Sequence, residues 1–196
     1  MANDAGAPAT PVGQPVPALP RDTGDAAPRP RFVAVGAGRM GRGIAIAFAY
    51  AGHRIALVDL RRRSEADWTR LRDEATAEID GALRALARQG VLREDQVGPI
   101  AARVQLVRVD DAPAALAAAE LVFEGVPETL EAKREAFDWL NRHCRDEAIL
   151  SSTTSSILVT QLAALVRRPA RFLNMHWLNP AYLIPVVELS CHAGTD

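Results

Sequence analysis

The stretch "VAVGAGRMGRG", residues 33–43, decides the predicted fold of this chain. An apolar, β-branched run leads into Gly36, Gly38 and Gly41, which have the spacing G-x-G-x-x-G, and an apolar segment with helical periodicity follows. The spacing alone is weak evidence, because glycine-rich turns are common. With a strand before it and a helix after it, the pattern predicts a turn that holds the phosphates of a dinucleotide.

Each glycine of this loop has a separate physical task. Gly36 makes the tight turn, Gly38 lets the backbone approach a pyrophosphate, and Gly41 lets the helix pack closely on the strand. The N-terminus of the helix supplies free N–H groups and the positive end of its dipole. We therefore expect the whole loop to bind the cofactor: Gly36, Ala37, Gly38, Arg39, Met40 and Gly41.

The identity of the dinucleotide depends on Asp59, which ends the next predicted strand, "HRIALVD". Its carboxylate can accept hydrogen bonds from the adenosine ribose and repels a 2'-phosphate, so we expect NAD rather than NADP. The run Arg61–Arg63 leaves three interpretations open. These arginines could bind a 2'-phosphate, stack on the adenine, or form a solvated charge cluster at the start of a helix.

Outward from the loop, short apolar runs alternate with segments of helical periodicity as far as residue 196. This alternation predicts an α/β fold with a mostly parallel sheet that is covered on both faces. Residues 1–30 differ, because they hold seven of the thirteen prolines and no aromatic residue. We predict a disordered Ala/Pro/Gly-rich tail over residues 1–30 and a folded domain over residues 31–196.

Charge and composition reduce the number of partners and sites that this protein is expected to have. The formal net charge of −1 gives no reason to expect nucleic acid or a membrane surface as partner, and no apolar run is long enough to span a bilayer. The two cysteines, Cys144 and Cys191, lack the spacing of metal ligands. We expect no metal site, a small-molecule partner and a cytoplasmic protein.

One histidine lies in the otherwise apolar stretch "NMHWLNPAYLIPVVEL", residues 174–189. Its surroundings alone favour a packed core histidine for His176. Glu188 lies in the same apolar stretch, where an unpaired carboxylate would be costly, so it needs a partner. His176 is the natural candidate for that partner, and a histidine–carboxylate pair can carry protons.

Four segments together resemble one family, the L-3-hydroxyacyl-CoA dehydrogenases. They are "VGAGRMGRGIA", "LVFEGVPETLEAKREAF", "SSTTSSI" and "NMHWLNPAYLIPVVEL". The resemblance covers residues 31–196 and implies a Rossmann-like, doubly wound sheet with a helical insertion after the second strand. The helix that begins near Ser64 fits that insertion. The implied reaction is the NAD-dependent oxidation of a 3-hydroxyacyl-CoA to a 3-oxoacyl-CoA in fatty acid metabolism.

The resemblance also implies catalytic roles. His176 matches the general base and Glu188 the glutamate that pairs with it. Ser155 matches the serine that contacts both the nicotinamide side and the substrate hydroxyl; its simpler interpretation is a cap for the following helix, a role that it could fill in part. Asn179 matches an active-site position that helps to hold the loop and the substrate.

Two further residues match positions that line the cofactor site, Glu128 and Lys133 in "PETLEAK". A simpler interpretation is also consistent with the local sequence: Glu128 is an acid at the start of a helix, and Lys133 is solvated.

The sequence departs from the family in three places. Thr153 replaces the usual asparagine, and the family's CoA contacts fall near Ala75 and Ala82. The family's all-helical second domain has no counterpart before Asp196, so a C-terminal helical domain or a partner chain is expected to be missing. Two alternatives stay open: a dehydrogenase for a free 3-hydroxy acid, like those for gulonate or carnitine, and a truncated, non-catalytic NAD-binding module.

Overall fold

The computed structural model describes residues 31–196, and the predicted disordered tail, residues 1–30, lies outside the described residues. Within this part of the chain, seven strands form one sheet: β1 (Phe32–Val35), β2 (Ile55–Asp59), β3 (Val104–Arg108), β4 (Leu121–Glu124), β5 (Ile149–Ser152), β6 (Phe172–Trp177) and β7 (Val187–Ser190). Six α-helices connect them: α1 (Arg39–Tyr50), α2 (Glu65–Arg88), α3 (Glu94–Ala101), α4 (Ala112–Leu116), α5 (Leu130–His143) and α6 (Val159–Ala163). A 3-10 turn, Pro169–Arg171, precedes β6.

The strands lie in the order β3-β2-β1-β4-β5-β6-β7, and all neighbours are parallel except β6 and β7. The chain moves outward from β1 to β3 and then returns to β4 on the other side of β1. At such a reversal the connecting helices leave to opposite faces and open a crevice at the carboxyl ends of the strands. The predicted α/β, doubly wound, mostly parallel sheet is therefore confirmed.

Side chains of the central strands alternate between two hydrophobic cores. Val33 and Val35 pack with α4, α5 and α6 on one face, whereas Ala34 packs with α1, α2 and α3 on the other. Because both faces are covered, all five residues of β2 are buried. Because both faces of the sheet are buried, the sequences of these strands are continuous apolar runs and do not alternate between apolar and polar residues.

The helical insertion predicted after the second strand is also present. The side chain of Ser64 caps α2 by accepting a hydrogen bond from the backbone N–H of Asp67 at 3.2 Å. The buried stripe of α2, which includes Ile79 and Leu83, packs on the core that α1 and α3 share. No helix within residues 31–196 is both long and apolar enough to cross a membrane.

Candidate active site

A cleft of about 1170 Å³ opens at the carboxyl ends of the strands. It extends from Asp59 and Arg61 at the end of β2, past the glycine loop, to His176 and Asn179 at the end of β6. Its volume exceeds the roughly 300–1,000 Å³ of an ordinary small-molecule site. The crevice that the strand order creates is thus the place where the predicted cofactor and catalytic residues meet.

The geometry of the glycine loop fits a dinucleotide phosphate. At Gly36 (φ +105°) an added Cβ would lie 2.6 Å from the Gly125 carbonyl oxygen, and at Gly41 it would lie 2.0 Å from the Gly36 carbonyl oxygen. These two positions therefore admit no side chain. At Gly38 nothing lies within 4 Å of an added Cβ, so this position faces open space in the cleft.

The N-terminus of helix α1 faces this open space, and no side chain compensates the positive end of the helix dipole there. Its first turn contains no acidic residue, and its N-cap, Gly38, has no side chain that could accept a hydrogen bond. The first backbone bond of the helix comes from Arg42 to the Gly38 carbonyl at 2.9 Å, which leaves the N–H groups of residues 39–41 without a helical acceptor. An anionic phosphate is the ligand that such a helix end favours.

Asp59 lines the cleft at the end of β2 and is nearly buried. One of its carboxylate oxygens, Oδ2, accepts a hydrogen bond from Nε of Arg63. The other oxygen, Oδ1, is free of that bond and can accept from a ribose hydroxyl. The pKa of Arg63 is raised above its ordinary value, chiefly by the hydrogen bond to Asp59.

Glu128 organises the loop that follows β5. Its Oε1 accepts hydrogen bonds from the backbone N–H groups of Ser155 (3.0 Å) and Ser156 (3.1 Å), from the Ser156 hydroxyl (2.9 Å) and from the Thr154 hydroxyl. Burial alone would raise the pKa of Glu128, but these hydrogen bonds and the charge of Lys133 outweigh it and lower the pKa to about 2. Glu128 lines the cleft, and it also fixes the backbone that carries Ser155.

Ser155 lies in the cleft with an exposed side chain. It is not the cap of the following helix, because α6 begins after Leu158 and has no side-chain cap. The interpretation of Ser155 as a helix cap is therefore wrong. The helical periodicity before Val159 belongs to a turn, in which Thr154 Oγ1 accepts a hydrogen bond from the Ile157 N–H at 3.1 Å. Glu128 holds that turn, so no helix is needed there.

Lys133 lies in the core, and its side chain has no exposed surface. Its Nζ donates to both carboxylate oxygens of Glu124, at 2.9 Å each, and Glu124 also accepts from the Ser152 hydroxyl at 2.6 Å and from the Val126 N–H at 2.7 Å. Lys133 is thus neither solvated nor among the residues that line the cleft. Its contact with the cofactor stays a prediction.

Sequence reasoning missed Glu124. The available signal was an acid at the end of an apolar strand, which needs a buried partner, and the only lysine of the chain lies nine residues later.

His176 and Glu188 are direct neighbours across the antiparallel pair β6–β7. His176 Nδ1 lies 2.7 Å from Glu188 Oε2. His176 lines the cleft, whereas 65% of the Glu188 side chain is exposed. The pairing that we predicted is present, but its stated reason was wrong. β7 is the edge strand, so Glu188 lies in water and not in an apolar core.

Asn179 lines the cleft on the loop between β6 and β7. That loop packs on α1, where an added Cβ at Gly43 would lie 3.3 Å from the Ala181 Cβ. The structure therefore brings together in one cleft the loop residues 36–40, Asp59, Glu128, Ser155, His176 and Asn179. Gly41, Lys133 and Glu188 do not line this cleft.

The family model described as "3-hydroxyacyl-CoA dehydrogenase, NAD binding domain" matches residues 32–196. The chain belongs to the 3-hydroxyacyl-CoA dehydrogenase family. Residues 32–196 match the NAD-binding domain of that family, and NAD is its cofactor. The resemblance inferred from four short segments is confirmed.

Among curated relatives, a 3-hydroxybutyryl-CoA dehydrogenase of Bradyrhizobium diazoefficiens is 39% identical over 83% of this chain and 52% of its own length. A 5-formyl-3-hydroxy-2-methylpyridine 4-carboxylate 5-dehydrogenase of Mesorhizobium japonicum is 31% identical over 79% of this chain and 46% of its own. The crystal structure of a (S)-3-hydroxybutyryl-CoA dehydrogenase from Ralstonia eutropha has a TM-score of 0.74 and 31% identity, and the match covers 85% of this chain and 56% of that one. The chain spans about half the length of the curated relatives it matches.

Proposed function

We propose that this protein oxidises a 3-hydroxyacyl-CoA to the 3-oxoacyl-CoA with NAD, in fatty acid metabolism, and that His176 is the general base. One observation carries the proposal: His176, which is paired with Glu188, and the glycine loop of the cofactor site line the same cleft. The family of the chain and the names of its relatives support the same reaction.

The hydrogen bond between His176 and Glu188 determines which ring nitrogen can act as the base. A carboxylate at Nδ1 favours the tautomer that carries its proton on Nδ1, which leaves the lone pair on Nε2. Nε2 can then take the proton of the substrate hydroxyl, and the charge of Glu188 stabilises the imidazolium that forms. Bound NAD supplies the acceptor for the hydride that leaves C3.

Ser155 and Asn179 complete the proposed substrate site. The backbone of Ser155 is fixed by Glu128, whereas its hydroxyl makes no hydrogen bond to any of the described residues. That hydroxyl is therefore available to the substrate hydroxyl on the side facing the nicotinamide. Asn179 lines the same cleft as His176 and offers an amide to hold the substrate.

The test is the formation of NADH by the purified chain with NAD and 3-hydroxybutyryl-CoA, beside His176→Ala. We expect the wild type to turn over and the variant to lose a factor of about 10² to 10⁴, the usual contribution of a positioned general base. NADH binding, measured by fluorescence, should be equal in both proteins. Equal turnover by the two proteins would refute the role of His176.

A second candidate is the oxidation of a free hydroxy acid. Ala75, near which the sequence places a CoA contact of the family, is buried in α2 and offers no polar group. The arginines nearby are engaged in surface ion pairs, Arg72 with Asp73 and Arg84 with Asp80 and Glu94. The name of the Mesorhizobium japonicum relative likewise contains no CoA. Faster turnover of gulonate or carnitine than of 3-hydroxybutyryl-CoA would establish this alternative.

The third candidate is a binding module without activity. NADH binding by wild type, together with no turnover of any of the three substrates, would favour it. The same assay therefore separates all three functions.

We also propose a cytoplasmic location. Both cysteines are free thiols, Cys144 buried and Cys191 exposed, which a reducing compartment preserves. Cell fractionation tests this location, and recovery from an oxidising compartment would contradict it.

A further inference from the structure

The three arginines that follow Asp59 are in three different electrostatic situations. Arg63 donates a hydrogen bond to the Asp59 carboxylate. Arg62 points away to Asp110, with Nη2 2.9 Å from Oδ1. Arg61 lines the cleft, and no carboxylate of residues 31–196 forms an ion pair with it. Arg63 is thus paired within the cleft, Arg61 lines the cleft without an ion pair, and Arg62 lies outside the cleft.

Asp59, Arg61 and Arg63 all line the end of the cleft where β2 stops. In dinucleotide-binding domains an acid at this strand end faces the 2'-hydroxyl of the adenosine ribose. A phosphate on that hydroxyl would therefore lie among one carboxylate and two guanidinium groups. Guanidinium groups hold phosphates well, because their planar donors match the phosphate oxygens.

We propose that Arg61 and Arg63 form a latent 2'-phosphate site, which Asp59 keeps closed by pairing with Arg63. The preference for NAD over NADP then depends on one carboxylate and not on a lack of cations. While Asp59 is present, it occupies Nε of Arg63 and repels an incoming phosphate. Once its charge is removed, both arginines face the 2'-position without a competing anion.

The test compares NAD⁺ and NADP⁺ binding by isothermal titration calorimetry, because the two ligands differ only in the 2'-phosphate. In the wild type we expect the tighter binding for NAD⁺. In Asp59→Asn, the affinity for NADP⁺ should rise at least about tenfold, the gain from one charge-assisted hydrogen bond. Adding Arg63→Ala to this variant should remove most of the gain. No rise in NADP⁺ affinity, or an equal rise with Arg63 absent, would overturn the proposal.

A matched control is Asp110→Asn. It removes the same charge and frees Arg62, the neighbouring arginine, but neither residue lines the cleft. We expect its NADP⁺ affinity to change less than about twofold, because exposed charges are screened by water and salt. A gain as large as that of Asp59→Asn would assign the effect to overall charge and overturn the proposal.

A second variant keeps the test decisive if Asp59→Asn does not fold. Arg63→Ala leaves the carboxylate in place and changes a side chain that is 26% exposed. It should weaken NADP⁺ binding by about threefold or more relative to NAD⁺ binding, because the carboxylate loses its counter-charge. An unchanged ratio of the two affinities would contradict the role of Arg63. These binding measurements are independent of the proposed substrate.

Discussion

Lys133 donates hydrogen bonds to both carboxylate oxygens of Glu124, each at 2.9 Å, and neither side chain is exposed to solvent. The pair joins α5 to the end of β4, and Nζ of Lys133 also lies 3.6 Å from Oε2 of Glu128. Desolvation makes such a pair only weakly stabilising as a whole, but either partner alone is strongly destabilising.

From this relationship we predict that Lys133→Met lowers the free energy of unfolding by about 3–5 kcal/mol, because it leaves a buried carboxylate unpaired. The double variant Lys133→Met/Glu124→Gln should recover part of that loss. Urea denaturation measures both. Glu147→Gln is the control, since it breaks the exposed pair with Arg145 and should cost less than about 1 kcal/mol. An unfolding midpoint of Lys133→Met equal to that of the control would contradict the prediction.

A second prediction concerns pH. The pKa of Glu128 is about 2 in the folded chain, against an ordinary value of 4.5. A depressed pKa means that the ionised form stabilises the fold above pH 4.5 and that this contribution is lost as the pH falls towards 2. Glu128→Gln should therefore lower the melting temperature most above pH 4.5, and the difference from wild type should shrink on acidification. Glu131→Gln, on the exposed side of α5, should show a smaller, flatter difference.

A third prediction separates folding from cofactor binding within one loop. Gly41→Ala should destabilise the domain, since its Cβ would lie 2.0 Å from a carbonyl oxygen. Gly38→Ala should melt like the wild type but bind NADH at least about tenfold more weakly, because the methyl group occupies the phosphate position. Gly81→Ala in α2, which has open space, should leave NADH binding unchanged. Thermal melts and fluorescence titrations check all three, and equal NADH affinity in Gly38→Ala and wild type would refute this use of the loop.

A fourth prediction tests the catalytic pair at its exposed end. Glu188→Gln keeps an acceptor for His176 Nδ1 but removes the charge that stabilises the imidazolium, so turnover should fall by about 10² or more. NADH affinity should not change, because Glu188 does not line the cleft. Ser190→Ala, on the same strand, is the control and should keep full activity. A normal rate in Glu188→Gln would show that His176 acts without this carboxylate.

Much of the fold was predictable because its signals are local. The G-x-G-x-x-G loop, the alternation of apolar runs and helical segments, and the insertion that begins at Ser64 all depend on residues close together in sequence. The pairing of His176 with Glu188 was predictable as well, since one stretch carries both strands of the antiparallel pair.

The features that escaped prediction depend on contacts across the sheet. Glu128 accepts hydrogen bonds from a turn that lies 26 to 28 residues later, and no local sequence pattern predicts that contact. The exposure of Glu188 follows from its position on the edge strand, which the strand order alone determines. The burial of Lys133 required knowing which face of α5 meets β4.

The burial of Lys133 has a chemical consequence for the whole surface. Every other basic side chain of the sequence is arginine or histidine, so the native domain presents no lysine amine to reagents. Thioesters and other acyl donors modify exposed lysine amines, and such modification removes a positive charge. The folded domain is therefore spared side-chain amine acylation for as long as it stays folded.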